Sequence, residues 1–82
     1  MDYIYPHEGK LIPIEVKSGK EGSLRSLHQY MNTAPQDKAV RLYSGKLKIT
    51  TITTQENKTF QLLNLPYFLT SEIEAYLKWF VG

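Results

Sequence analysis

Three residues near the amino terminus have the types and spacing for metal-assisted phosphate chemistry: Asp2, Glu15 and Lys17. Glu15 and Lys17 interrupt the apolar run LIPIEVKSGK, which extends from Leu11 to Lys20. Side chains alternate along an extended chain, so Ile12, Ile14 and Val16 share one face while Leu11, Pro13, Glu15 and Lys17 share the other. Upstream, DYIY (Asp2 to Tyr5) is aromatic and β-branched enough for a strand, and PHEGK supplies Pro6 and Gly9 as turn-formers, so the two arms read as a hairpin. With a loop of two residues (Glu8, Gly9) or of four (His7 to Lys10), Asp2 faces Glu15 across the ladder, the Cβ atoms roughly 4.5 to 5.5 Å apart. A three-residue loop would shift the register by one and send Asp2 to the other face.

Two carboxylates and an ammonium on one patch suit a hard divalent cation. Carboxylate oxygens bind Mg²⁺, which keeps several waters, and a bound water can be polarised to attack a phosphodiester. A neighbouring lysine can orient or deprotonate that water, or balance charge building on the phosphate. The competing reading is an ordinary amphipathic strand, with Glu15 and Lys17 as a weak surface pair on its solvated side.

The elements that must position these residues follow from the rest of the chain. Strands are expected over about residues 2–6, 10–17, 38–44, 47–54 and 59–64, and helices over about 23–32 and 70–80. In the first helix Leu24, Leu27 and Met31 form the apolar stripe, flanked by His28 and Tyr30, with Ser23 placed to cap it and Arg25, Ser26, Gln29 and Asn32 facing away. Pro13 cannot donate to a ladder and is expected at a bulge or an unpaired edge. The strand, helix, strand order predicts a crossover that lays KAVRLY (Lys38 to Tyr43) parallel to the LIPIEV strand. LKITTITT and TFQLLNL form a second hairpin around QENK. Leu69, Ile73, Tyr76, Leu77 and Phe80 mark the docking face of the last helix; Ser71 with Glu74 has the form of a capping box, while Pro66 suits the first turn of a longer helix. The expected fold is α/β, a mixed sheet flanked by helices in one domain over residues 1–82.

An Asp at the head of one strand, then IPIEVKSG in the next, then a helix and a strand, resembles the PD-(D/E)XK nuclease superfamily, whose motif is an Asp followed by Glu-X-Lys on adjacent strands; here these are Asp2 and Glu15-Val16-Lys17. More narrowly, DYIY…KLIPIEVKSGK…SLHQYM with LLNLPYFLTSEIEAYL resembles the C-terminal nuclease-like domain of bacterial AAA-type ATPases, over nearly the whole chain. The resemblance implies a restriction-endonuclease-like fold, here a fragment lacking that superfamily's first helix and strand. It implies Mg²⁺-dependent hydrolysis of DNA in the full-length protein, with Asp2 and Glu15 as metal ligands and Lys17 assisting catalysis, and no activity in the fragment. Lys20, Arg25 and Gln29 are the candidate DNA contacts. An ATPase domain upstream is the expected intramolecular partner. The rival expectation is a non-catalytic module that retains the fold for DNA docking or oligomerisation, with self-association through an exposed strand edge.

Bulk properties limit the alternatives. The chain has 82 residues and is 41% hydrophobic and 22% charged, ordinary values for a small globular domain. It has no cysteine, which removes disulfides and thiolate zinc sites and fits a cytoplasmic location. The net charge of +2 comes from scattered cations and does not by itself argue for nucleic acid. MDYIYPHEGK lacks the pattern of a secretory signal, and no apolar stretch is long enough to span a bilayer, so no membrane partner is expected. SGKEG is not a phosphate loop: Ile14 stands where the first glycine is needed and Glu21 where Ser or Thr must follow the lysine. His7 and His28 lie on a turn and on a helix flank and read as structural or solvated.

Overall fold

A computed structural model describes residues 2–17 and 24–82. Five strands, β1 (Tyr3–His7), β2 (Lys10–Val16), β3 (Lys38–Tyr43), β4 (Lys48–Thr53) and β5 (Thr59–Pro66), form one mixed sheet in the order β1-β2-β3-β5-β4. Helix α1 (Arg25–Thr33) joins β2 to β3, and α2 (Ile73–Phe80) ends the chain. The β1–β2 and β4–β5 pairs are antiparallel, whereas β2–β3 and β3–β5 are parallel; of these the β2–β3 pair is the one expected from the strand-helix-strand crossover. Among the described residues no helix is long and apolar enough to cross a membrane.

The hairpin loop has two residues. Glu8 and Gly9 both take positive φ, 48° and 80°, the mirror-image turn whose twist matches that of the flanking strands. That turn fixes the register, Tyr3 opposite Ile14 through His7 opposite Lys10. Pro13 sits opposite Ile4, and the β2–β3 ladder begins one residue later, at Ile14, so the missing N–H falls where β3 is not yet paired. The Leu11 carbonyl in this unpaired stretch accepts a hydrogen bond from the Gln36 side-chain amide.

Each face of the sheet has its own apolar cluster. Ile12, Ile14, Val40, Leu42, Leu63 and Leu65 pack against Leu77 and Phe80 of α2; Ala39, Phe60 and Leu62 pack against Leu27 and Met31 of α1. His28 meets the Phe60 ring edge-on at 5.9 Å, as its place on the helix flank allows. Because β5 is flanked by two strands and covered on both faces, its run from Leu62 to Pro66 is buried without alternation.

Some expected boundaries move. The β5 strand runs two residues further than expected, pairing out to Pro66 opposite Tyr43. Helix α1 starts after Leu24, which makes no side-chain capping bond; Ser23, expected as the cap, lies outside the described residues. It ends at Ala34, held extended by the following Pro35. Asn32 does not simply face solvent: it bonds Thr54 and Glu56 across to the β4–β5 turn. The last helix is shorter than expected. Tyr67–Glu72 form a 3₁₀ segment, in which the Thr70 hydroxyl donates back to the Tyr67 carbonyl at 2.7 Å, and α2 begins only at Ile73. The Ser71–Glu74 capping box does not form; Glu72 occupies the cap position without a side-chain bond.

Candidate functional site

The β1–β2 ladder has its last rung at Tyr3 opposite Ile14, and Asp2 lies just beyond it. The Asp2 N–H donates to the Ile14 carbonyl at 3.1 Å, and its Oδ2 accepts the Val16 N–H at 2.8 Å. Asp2 is therefore fastened to the end of β2 that carries Glu15 and Lys17. Lys17 extends β2 by one rung: its N–H donates to the Leu42 carbonyl at 2.9 Å, and its own carbonyl accepts the Tyr67 hydroxyl. Asp2 is exposed and Glu15 and Lys17 are half-buried, so the three lie at a rim that solvent can reach.

The proposed DNA contacts are placed differently. Lys20 lies outside the described residues. Arg25 and Gln29 are exposed on α1 and line a depression of about 640 Å³ with His28, Asn32 and the β4–β5 turn, a lining that includes none of Asp2, Glu15 and Lys17. Its floor is a polar network: the buried Thr54 hydroxyl donates to Asn32 Oδ1 at 2.5 Å, and Asn32 Nδ2 donates to Glu56 Oε2 at 3.1 Å.

Two residues that sequence reasoning passed over stand beside Glu15. On the α1 side of the sheet, Glu15 pairs across to Arg41, Arg41 to Asn64, and Asn64 to Lys48, a polar row spanning four strands. Asn64 is 0% exposed. Its Oδ1 accepts Arg41 Nε–H at 2.9 Å, and its Nδ2 donates to Thr50 Oγ1 at 2.9 Å and to the Lys48 carbonyl at 3.2 Å. The Arg41 guanidinium also lies 5.0 Å from the centroid of the Tyr43 ring. The available signal was the one that exposed Glu15: a polar residue flanked on both sides by aliphatic ones, Arg41 between Val40 and Leu42 and Asn64 between Leu63 and Leu65, as Glu15 lies between Ile14 and Val16.

A further polar cluster lies on the opposite side of the sheet, at its β1 edge. His7 is 5% exposed, with Nε2 3.0 Å from Glu8 Oε2 and Nδ1 3.9 Å from Glu74 Oε2. The Tyr5 hydroxyl donates to Glu74 Oε1; that bond, then partial desolvation and the carboxylate charge, raises the phenol above its ordinary value. Trp79, on α2, is exposed, and Phe80 belongs to the core.

The chain matches no protein-family model, and neither the curated proteins nor the solved structures contain a significant match to it.

Proposed function

We propose that the chain is a piece of a PD-(D/E)XK nuclease-like domain, attached in its full-length protein to an AAA-type ATPase, and that the Asp2, Glu15 and Lys17 rim descends from a Mg²⁺-dependent phosphodiesterase site. The observation that supports this reading is the two-residue turn, whose register ends at Tyr3 opposite Ile14 and leaves Asp2, bonded to the Val16 N–H, at the end of β2 that carries Glu15 and Lys17. The donor set fits the cation: Mg²⁺ is commonly held by one or two carboxylates, with water and substrate phosphate completing its shell. Bound there, Mg²⁺ would supply Lewis-acid polarisation of a water and of a phosphate oxygen. Asp2 and Glu15 would hold it. Lys17, the next residue on the Glu15 side of β2, would orient the attacking water or neutralise charge on the phosphate. Isothermal calorimetry of the full-length protein with Mn²⁺ tests this: the Glu15→Gln variant is expected to lose at least about tenfold in affinity, since one of two charged ligands is removed. Identical isotherms would overturn the reading.

A second reading, a non-catalytic module that keeps the fold for docking or self-association, has its own support. Arg41 already places a fixed cation in the rung next to Glu15, and edge strand β1 exposes Tyr3 and Ile4. Absence of Mn²⁺-dependent cleavage together with concentration-dependent dimerisation in sedimentation would favour it.

A further inference from the structure

We propose that Arg41 is a phosphate-binding residue, its guanidinium held by Asn64 and Tyr43 to grip a backbone phosphate of DNA beside the Glu15 and Lys17 rim. This rests on the nuclease-like reading of that rim and assigns the substrate contact it lacks. A sheet face that α1 covers with Ala39, Phe60 and Leu62 gives way, one rung further along, to Arg41 and Asn64. A fully buried asparagine in a central strand carries a desolvation cost unless its amide is paired, and Asn64 is paired at both ends. One of those pairings fixes Nε of an arginine. A guanidinium held at Nε and stacked over a ring has lost most of its rotational freedom, while its two terminal nitrogens keep the fork geometry that matches a phosphate. The bond to Asn64 runs from Nε, so it does not engage those terminal nitrogens. Around them the Glu15 carboxyl stands across the rung, and two further cations lie near it, Lys48 in the same row and Lys17 just past the end of β2. These cations lie toward the carboxyl ends of the parallel strands β2, β3 and β5, the end of an α/β sheet at which ligands commonly bind.

The test is anisotropy titration of a labelled DNA duplex with the full-length protein in EDTA, so that no metal contributes. Arg41→Gln is expected to weaken binding about tenfold and to lower the slope of log K against log salt by about one. Arg41→Lys keeps the charge and should retain the slope while losing affinity severalfold, because an ammonium cannot both bond Asn64 Oδ1 and present a fork. Equal affinity and slope for wild type and Arg41→Gln would overturn the proposal, as would a wild type that binds no duplex. Either result leaves the Mn²⁺ isotherm at Glu15 unaffected, so this inference and the metal-site reading fail separately. If Arg41→Gln does not fold, the ¹H–¹⁵N guanidinium resonances of Arg41 in the wild type serve instead; they should shift on adding inorganic phosphate, and resonances that stay fixed would overturn the assignment.

Discussion

The two faces of the sheet solve the same burial problem with different materials. On the α2 side the buried residues of the three central strands are all aliphatic, Ile12, Ile14, Val40, Leu42, Leu63 and Leu65, and the polar residues of that face stand at its margins, Lys38 over the Phe80 ring and Tyr5 and His7 on edge strand β1. On the α1 side the apolar cluster stops short, and Glu15, Arg41 and Asn64 occupy the central strands themselves. An apolar face is the cheaper way to fold a chain this small, because each buried polar group must recover its lost hydration through hydrogen bonds. The α2 face therefore holds the molecule together, and the α1 face carries the residues whose retention needs a reason beyond stability.

The comparison breaks if the apolar half of the α1 face is not itself a core. Phe60 is 1% exposed and Leu63 is 0% exposed, on opposite faces of β5. Phe60→Ala is expected to cost about 3 to 5 kcal/mol and Leu63→Ala about 2 to 5 kcal/mol in urea unfolding. Both are large against the few kcal/mol available to a domain of this size. A Phe60→Ala cost under about 1 kcal/mol would mean that α1 contributes no core and that the faces differ in kind throughout.

A smaller effect probes the polar row. Asn64→Leu should cost about 1 to 3 kcal/mol, since it strands Arg41 Nε and the groups Asn64 now bonds. Adding Arg41→Met to Asn64→Leu should recover part of that loss, because replacing both partners by apolar groups removes the unpaired donor. A urea double-mutant cycle checks this. Strict additivity would show that the row is a set of independent surface contacts. The same double variant should lose the DNA contact proposed for Arg41, which would separate what the row does for stability from what it does for binding.

Much of this contrast was legible in the sequence. The alternation in LIPIEVK and KAVRLY assigned faces correctly, and the Leu24, Leu27, Met31 stripe and the Leu77, Phe80 face docked where their spacing put them. The Asp2 register was readable only as a choice between loop lengths, because hairpin geometry depends on backbone angles at Glu8 and Gly9 that composition does not fix. Arg41 and Asn64 went unrecognised for another reason. Strand order β3-β5-β4 brings them together across 23 residues of sequence, and no local pattern specifies which strand inserts beside β3. The shortened last helix reflects local competition: side-chain bonding by Thr70 supports a 3₁₀ turn where apolar periodicity alone continues the helix.

Asp2 sharpens the division between stability and function at one residue. Its bond to the Val16 N–H is solvent-exposed, so Asp2→Ala should cost only about 0.5 to 1.5 kcal/mol in urea unfolding. The same change should weaken Mn²⁺ binding as much as Glu15→Gln does, if the rim is a cation site. A loss of stability with no change in the isotherm would reduce Asp2 to a strand clip.

The smallest expected effect lies at the rim of the stability face. Tyr5 donates to Glu74, and its phenol is raised above the ordinary value of 10.0, first by that hydrogen bond, then by partial desolvation and the carboxylate charge. The folded state thus holds the phenolic proton more tightly than the unfolded chain. The resulting stabilisation is fully present below the unfolded value, near 10.0, and is lost as pH rises through the higher folded value. Melting temperatures of wild type and Tyr5→Phe should accordingly differ by a constant small amount at neutral pH and converge in the alkaline range. Glu74→Gln leaves an acceptor for the hydroxyl but removes the charge, so the Tyr5 ionisation, read as the wild-type minus Tyr5→Phe ultraviolet difference, should move back toward 10.0. If the two melting curves instead stay parallel through the alkaline range, the Tyr5–Glu74 contact contributes nothing to folding. The α2 face would then be stabilised by its aliphatic rows alone, and its contrast with the polar row on the α1 side of the sheet would be sharper still.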